Sequence, residues 1–262
     1  MAVLFISWWA RAQGAWGIAS SKASPDLRAE ALRGARVYEE RDRLEARRGG
    51  VQHITRGREH ALRRREREAL EMVRKHFGNL RDLTVLDLGC GFGRLLGAFR
   101  AAGVPAKNLV GVDLVKPRIE AAAARFPGIR FIHGNAAELD LGGRTFDVVA
   151  MFTLLSSVRN DALATRIAGA VDTVLAPGGA ILWYDVRYPK PWEAHIRTMT
   201  KRRIQAIFPG FRLDLRSRTL LPPIADRLGI ATPVMYPLLA AVPFLRTHYL
   251  GLLTRVEERD GI

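Results

Sequence analysis

The stretch Val85-Leu-Asp-Leu-Gly-Cys-Gly-Phe-Gly93, followed one helix later by Leu109-Val-Gly-Val-Asp113, decides the fold. It reads as a buried strand, a glycine-rich turn, a helix and a second strand ending in a carboxylate, which is the opening half of a doubly wound nucleotide-binding sheet. Gly89, Gly91 and Gly93 allow a tight turn and keep side chains away from a ligand at the helix N-terminus. Asp113 lies twenty positions beyond Gly93. That spacing places an acidic group at the tip of the second strand, where it can accept hydrogen bonds from both hydroxyls of a ribose. A dinucleotide fingerprint would carry a third glycine where Arg94 stands, and no GxxxxGK[ST] phosphate loop occurs in the chain.

With three further segments the pattern resembles the class I S-adenosylmethionine-dependent methyltransferase family over roughly residues 80 to 185. Asp87 and the glycines, with Cys90 among them, match the family's first motif. The resemblance implies that this loop meets the methionine part of S-adenosylmethionine, and that Asp113 and Leu114 hold its ribose and adenine side. Ile129-Arg-Phe-Ile-His-Gly-Asn-Ala-Ala-Glu138 matches the third strand and its loop, with Asn135 where the family usually has Asp and Ala136 beside it. An amide oxygen can still accept from an adenine amino group. Thr145-Phe-Asp-Val-Val-Ala-Met-Phe152 matches the fourth strand and offers Met151 to the cofactor. Leu175-Ala-Pro-Gly-Gly-Ala-Ile-Leu-Trp183 matches the turn into the fifth. The fold expected is a doubly wound, mostly parallel seven-stranded α/β sheet with an antiparallel last strand.

Composition bounds the rest. The chain has 262 residues, 48% of them hydrophobic, enough for a substantial core. Its single cysteine, Cys90, excludes intrachain disulfides and suits a reducing cytoplasm. Net charge is +15, and all but six of the 41 basic residues are arginine, which favours phosphate, nucleic acid or an anionic membrane as partner. Ala2-Val-Leu-Phe-Ile-Ser-Trp-Trp-Ala10 is apolar but lacks a preceding basic region and falls short of the ~20 residues needed to span a bilayer. Residues 1–24 are read as a flexible segment and 25–80 as a helical cap. The methyltransferase domain is placed at 81–262.

In the cap, Leu62, Leu70, Val73 and Phe77 fall on one helical face, and Gly49-Gly50 separates this helix from an earlier one carrying Tyr38 and Arg43. The family resemblance implies that such helices cover the cofactor cleft, so Tyr38 or Arg43 is expected to touch the ligand, with Tyr38 the residue assigned to the cofactor. Beyond the fifth strand, Trp183-Tyr-Asp-Val-Arg-Tyr-Pro-Lys-Pro-Trp192 sits past the carboxyl edge of the sheet, where open α/β folds bind ligands. Asp185 and His195 are the candidate bases, and Arg187 and Tyr188 the candidate acceptor contacts. The remainder fits a helix, a strand near Phe211 to Leu215 and a last strand near His248 to Leu253. An apolar, proline-broken insert at 220–246 could serve as a lid, a dimer contact or a face that dips into lipid.

The resemblance implies methyl transfer to a small-molecule, saccharide or lipid-linked acceptor at a hydroxyl. The Trp-Tyr-Asp-x-Arg-Tyr run, with Thr247-His-Tyr-Leu250, looks like methyltransferases of saccharide and glycolipid assembly. Two alternatives stay open: an RNA methyltransferase using the arginine-rich surface, and a non-catalytic S-adenosylmethionine-binding module. The RNA reading is weakened because Met151-Phe-Thr-Leu-Leu-Ser-Ser157 replaces the [DN]PP[YFW] signature of many nucleic-acid methyltransferases. A cytoplasmic location with peripheral contact to an anionic membrane is expected, and no metal site.

Overall fold

The computed structural model describes residues 24–47, 54–139, 141–188 and 196–256. Residues 1–23, the Gly49-Gly50 break and His195 lie outside them. Apolar runs, buried on both faces in the central strands, build seven strands: β1 Val85–Leu88, β2 Leu109–Asp113, β3 Arg130–His133, β4 Phe146–Phe152, β5 Leu175–Val186, β6 Phe211–Leu220 and β7 Arg246–Arg255. They form one sheet in the order β3-β2-β1-β4-β5-β7-β6. Strands β1 to β5 pair in parallel, and β7 runs antiparallel between β5 and β6. The expected seven-stranded topology is therefore present. Strands β6 and β7 are longer than their apolar alternation suggested, because Arg216, Ser217 and Arg218 continue the ladder against Leu250, Tyr249 and His248.

The helices are α1 Pro25–Arg47, α2 Arg56–Phe77, α3 Arg94–Ala101, α4 Lys116–Arg125, α5 Asp161–Val174, α6 Lys201–Ile207, α7 Pro222–Ala225 and α8 Thr232–Ala241. One sheet face packs Val149, Met151, Ile181 and Trp183 against Leu163, Ile167 and Val171 of α5. The opposite face packs Val148, Ala150, Phe152 and Tyr184 with Leu96 and Phe99 of α3 and Val73 of α2. The two-residue period of a strand makes this division and decides which strand residues can reach the site.

Helix α2 differs in detail from its sequence pattern. Gly57, Glu66, Ala69 and Val73 are its buried positions, while Leu62, Leu70 and Phe77 are only partly covered. Glu66 is buried because it forms an ion pair with Arg94 at the start of α3. The helix's exposed arginines are largely neutralised within one turn, by Arg63–Glu59, Arg64–Glu68 and Arg67–Glu71 pairs. An arginine-rich helix of this kind presents alternating charge, not a phosphate-tracking face.

Residues 221–245, between β6 and β7, hold α7 and α8 and pack Leu220, Ala225, Tyr236 and Ala240 against Ala61 of α2. The approach is so close that a Cβ on Gly57 would lie 1.7 Å from the Ala225 carbonyl oxygen. Gly57→Ala should therefore push α7 off α2 and cost about 1 to 3 kcal/mol of stability. Chemical denaturation measures it; an unchanged midpoint would mean that the two helices are not in contact.

Candidate functional site

Strand β1 ends in Gly89, Cys90, Gly91 and Phe92, and the chain turns into α3 through Gly93. Gly89 and Cys90 donate their amides to Val112 O at 2.8 and 3.0 Å, tying the turn to the end of β2. Gly91 N donates to Asp113 Oδ2 at 2.8 Å, and Val115 N donates to Asp113 Oδ1 at 2.9 Å. The Asp113 carboxylate thus fixes both the glycine turn and the start of α4 while remaining at the cavity wall. Gly91 has φ of 52°, and where a Cβ would stand its near neighbour is the Arg118 guanidinium, 4.0 Å away, so a ligand can approach its backbone. Gly93 serves a different purpose. At φ of 72°, its added Cβ would meet the Phe131 ring at 2.7 Å, so this glycine permits α3 to pack on β3 and does not line the cavity.

The cavity lies at the carboxyl edge of the sheet. Its floor includes Asp87, Gly89, Cys90, Gly91, Asp113 and Leu114, and its far wall Asn135 and Ala136. Helix α1 roofs it with Glu30, Ala31, Gly34, Ala35, Tyr38 and Arg41, a stripe at helical spacing. The roof is latched in several places. Arg118 grips Asp42 bidentately at 2.5 and 2.7 Å, Arg159 N donates to Glu30 Oε1 at 2.7 Å, and Arg33 donates to Ser157 O at 3.2 Å. The Tyr38 and Ser157 hydroxyls are hydrogen-bonded to each other. Tyr38 lines the cavity, whereas Arg43 is exposed beside Glu40.

Two buried polar atoms at this cavity have no partner: Asp87 Oδ1 and Arg65 Nε. Burial pushes the Asp87 carboxyl up to about 7, with Arg65 opposing the rise and Asp113 adding to it. The Arg65 guanidinium lies 5.1 Å from the ring centres of both Phe152 and Tyr184. A buried acceptor and a buried cation near each other match an α-ammonium and an α-carboxylate, which S-adenosylmethionine carries at its methionine end. Asp113 at the cavity wall and the side-chain-free backbone of Gly91 are compatible with the same molecule. Arg65, Arg94, Arg118, Phe152 and Thr153 were not singled out from the sequence. Thr153 could not have been, since its distinguishing feature is a left-handed backbone (φ 52°) held by donation of its amide to Tyr184 O at 2.7 Å. A non-glycine residue held in that region costs energy and is often found at functional sites.

Several expected site residues take other positions. Met151 is buried on the sheet face opposite the cavity wall built by its neighbour Phe152, a one-residue error in strand parity. Asp185 does not line the cavity. It is 1% exposed, and its oxygens accept from Ser156 N at 3.0 Å and Val186 N at 2.8 Å. Arg187 stacks on Tyr188 and Tyr249 and donates to Pro243 O and Arg246 O, so these residues brace the β5 and β7 ends and do not line the cavity. Asn135, by contrast, stays in the cavity wall, where its Oδ1 accepts from Ala137 N at 3.0 Å and keeps a second lone pair. Cys90 lines the cavity, but burial holds its thiol well above the ordinary range, which excludes a ready thiolate nucleophile. No group of three or more metal-binding side chains occurs among the described residues.

Comparison with known proteins agrees with this geometry. Residues 85–179 match the family model described as a methyltransferase domain. The matched segment runs from β1 through the glycine turn into β5, the part of the chain whose motifs resemble the class I S-adenosylmethionine-dependent methyltransferases. The chain is 29% identical over 120 residues to a demethylmenaquinone methyltransferase of Lactococcus lactis, covering 44% of this chain and 46% of that protein. It is 35% identical over 98 residues to a protein of Mycolicibacterium smegmatis named "Probable S-adenosylmethionine-dependent methyltransferase", covering 37% and 36%. The chain thus spans less than half the length of these curated relatives. Among solved structures, 1,6-didemethyltoxoflavin-N1-methyltransferase of Burkholderia thailandensis, with bound S-adenosylhomocysteine, shares the fold at a TM-score of 0.59 and 19% identity, covering 91% of this chain and 93% of that one. These similarities support S-adenosylmethionine as the cofactor that the cavity's lining fits.

The raised pKa of Asp87 carries a stability signature. The folded carboxyl binds its proton more tightly than the unfolded one, whose ordinary value is 3.8, so stability falls as pH rises from about 4 to about 7 and the loss is complete above that. At 1.36 kcal/mol per unit, the loss is on the order of 4 kcal/mol. Asp87→Asn should therefore make the cofactor-free protein more stable than wild type at pH 8, with the difference shrinking toward pH 4. Denaturant titrations at both ends of this range read it; a pH-independent difference would contradict the buried, protonatable state.

Proposed function

We propose that the protein transfers a methyl group from S-adenosylmethionine to a small-molecule acceptor, saccharide or lipid-linked, at a hydroxyl. The observation that carries the reading is a pair of buried atoms without partners, Asp87 Oδ1 and Arg65 Nε, at the edge of the glycine turn that Asp113 pins; the Arg65 guanidinium is otherwise held through Nη2 by Glu66 at 3.5 Å. In this reading Asp87 receives the ammonium and Arg65 the carboxylate of the methionine end. Asp113 receives the ribose hydroxyls, Gly89 and Gly91 give backbone approach, and Leu114, Asn135 and Ala136 flank the adenine. The acceptor lies under α1, between Tyr38 and the Phe152-Thr153-Leu154 turn.

When bound, S-adenosylmethionine supplies a methyl group that is already electrophilic, so the chain's main tasks are alignment and exclusion of water. Proximity of this kind contributes roughly 7 to 11 kcal/mol at best. The α1 latches keep the roof shut over the acceptor, and the Phe152 ring, with Arg65 against it, forms a rigid wall. Of the cavity carboxylates, Glu30 sits on the roof, but hydrogen bonding from Arg33 holds it below the usual carboxylate range. It is a weak base, which favours an acceptor hydroxyl that gives up its proton readily. The similarity to a demethylmenaquinone methyltransferase supports a lipophilic acceptor.

The experiment is methyl transfer from labelled S-adenosylmethionine into separate lipid, saccharide and RNA fractions, with product mass analysis. Label is expected in lipid or saccharide, bound through oxygen. Arg65→Ala should cut turnover at least about tenfold by leaving the carboxylate unmatched. Label found only in RNA would replace the acceptor assignment, and S-adenosylhomocysteine binding without transfer into any fraction would favour a non-catalytic module.

A further inference from the structure

We infer that residues 228–245 form a docking face for an anionic lipid bilayer. From Leu228 to Leu245 the chain contains no Asp, Glu, Lys, Arg or His. Helix α8 has apolar residues on both sides: Tyr236 and Ala240 pack inward on Leu220 and Ala225, while Val234 and Leu238 face outward, 66% and 61% exposed. Beside them Ile230 is 85% and Phe244 74% exposed. A surface helix of a protein surrounded by water carries polar side chains on its outer face, and a contiguous apolar patch marks a partner.

Charge selects the partner. The ends of this apolar stretch are ringed by guanidinium groups. Arg227 is exposed just before it, and Arg246 caps the end of α8 through Ala240 O and Ala241 O at 2.6 and 2.8 Å. Arg187 reaches Pro243 O, and Arg58 is at the α7 end. Asp226, paired with Arg58 at 3.1 Å, is the carboxylate in contact with this group. An apolar tip with arginines at its root, on a chain of net charge +15, complements acyl chains below anionic phosphate headgroups.

Topology ties the face to the cavity. Val186, at the carboxyl end of β5, pairs with His248, and Leu220 at the end of β6 pairs with Arg246. The segment therefore projects from the same sheet edge that holds the cofactor cavity. A bilayer engaged there sits beside the roof under which the acceptor is placed, which suits an acceptor anchored in lipid. This inference rests on the lipid-linked reading for its purpose, but docking itself requires no turnover.

The test is flotation of the full chain with vesicles of phosphatidylcholine alone and of phosphatidylcholine with one third phosphatidylglycerol, at low and high salt. Wild type should float with the anionic vesicles at low salt and lose binding at high salt, since charge is screened over about 10 Å at 0.1 M. Leu238→Asp and Phe244→Asp should each weaken binding at least about tenfold, and Arg227→Ala about fivefold. Calorimetry with S-adenosylhomocysteine should give wild-type affinity for all three, showing that they fold. Equal vesicle binding by wild type and Leu238→Asp, or no binding to anionic vesicles at low salt, overturns the inference. A concentration-dependent dimer abolished by Leu238→Asp, without vesicle binding, assigns the face to a second copy instead. Loss of methyl transfer with vesicle binding intact would count against the acceptor assignment and leave the docking face standing.

Discussion

The site depends on one carboxylate. Asp113 accepts hydrogen bonds from Gly91 N and Val115 N, so a single side chain at the tip of β2 fixes the turn after β1 and the entry to α4. Each carboxylate oxygen keeps further acceptor capacity, which allows the same group to meet a ribose. In the proposed reading, positioning the ligand and building its binding loop fall to the same side chain, and a backbone amide aimed by a charged acceptor needs little reorganisation when a ligand arrives.

Around that anchor the charges are arranged in opposition. Asp87 is buried without a full complement of partners, and Arg65 offsets only part of the cost. Arg118, 9% exposed, is held by Asp42 of the roof, so the roof helix is tied to α4 by a pair whose separation would leave a buried guanidinium unmatched, at about 3 to 5 kcal/mol. The cofactor-free protein thus carries strain at its floor and a charged latch at its roof. A zwitterionic ligand relieves the first while the second keeps the cavity covered.

Much of the sheet was legible because glycine spacing, strand-end carboxylates and apolar runs are local signals. Asp87, Gly89, Gly91, Asp113, Leu114 and Ala136 could be read for that reason, and all line the cavity. Tyr38 was legible only through the expectation that a helix covers the cleft. The failures are of another kind. Met151 and Asp185 lie on stretches of β4 and β5 that are buried on both faces, where alternation cannot tell which side chains reach the cavity, and neither lines it. Arg65 could not be distinguished from Arg63, Arg64 and Arg67, since only packing on Phe152 and Tyr184 separates it from the solvated arginines. Gly93 was legible as a glycine but not for its reason, because Phe131 is remote in sequence.

The most direct measurement is a calorimetric titration of wild type, Asp113→Asn and Asp113→Ala with S-adenosylhomocysteine, with NAD as a control ligand. Wild type should bind S-adenosylhomocysteine and not NAD. Loss of two charge-assisted hydrogen bonds at about 1.5 to 3 kcal/mol each predicts at least a hundredfold weaker binding for Asp113→Ala, with Asp113→Asn between the two because one amide oxygen can still accept. Binding of NAD with none of S-adenosylhomocysteine, or an Asp113→Ala affinity equal to wild type, would contradict the account.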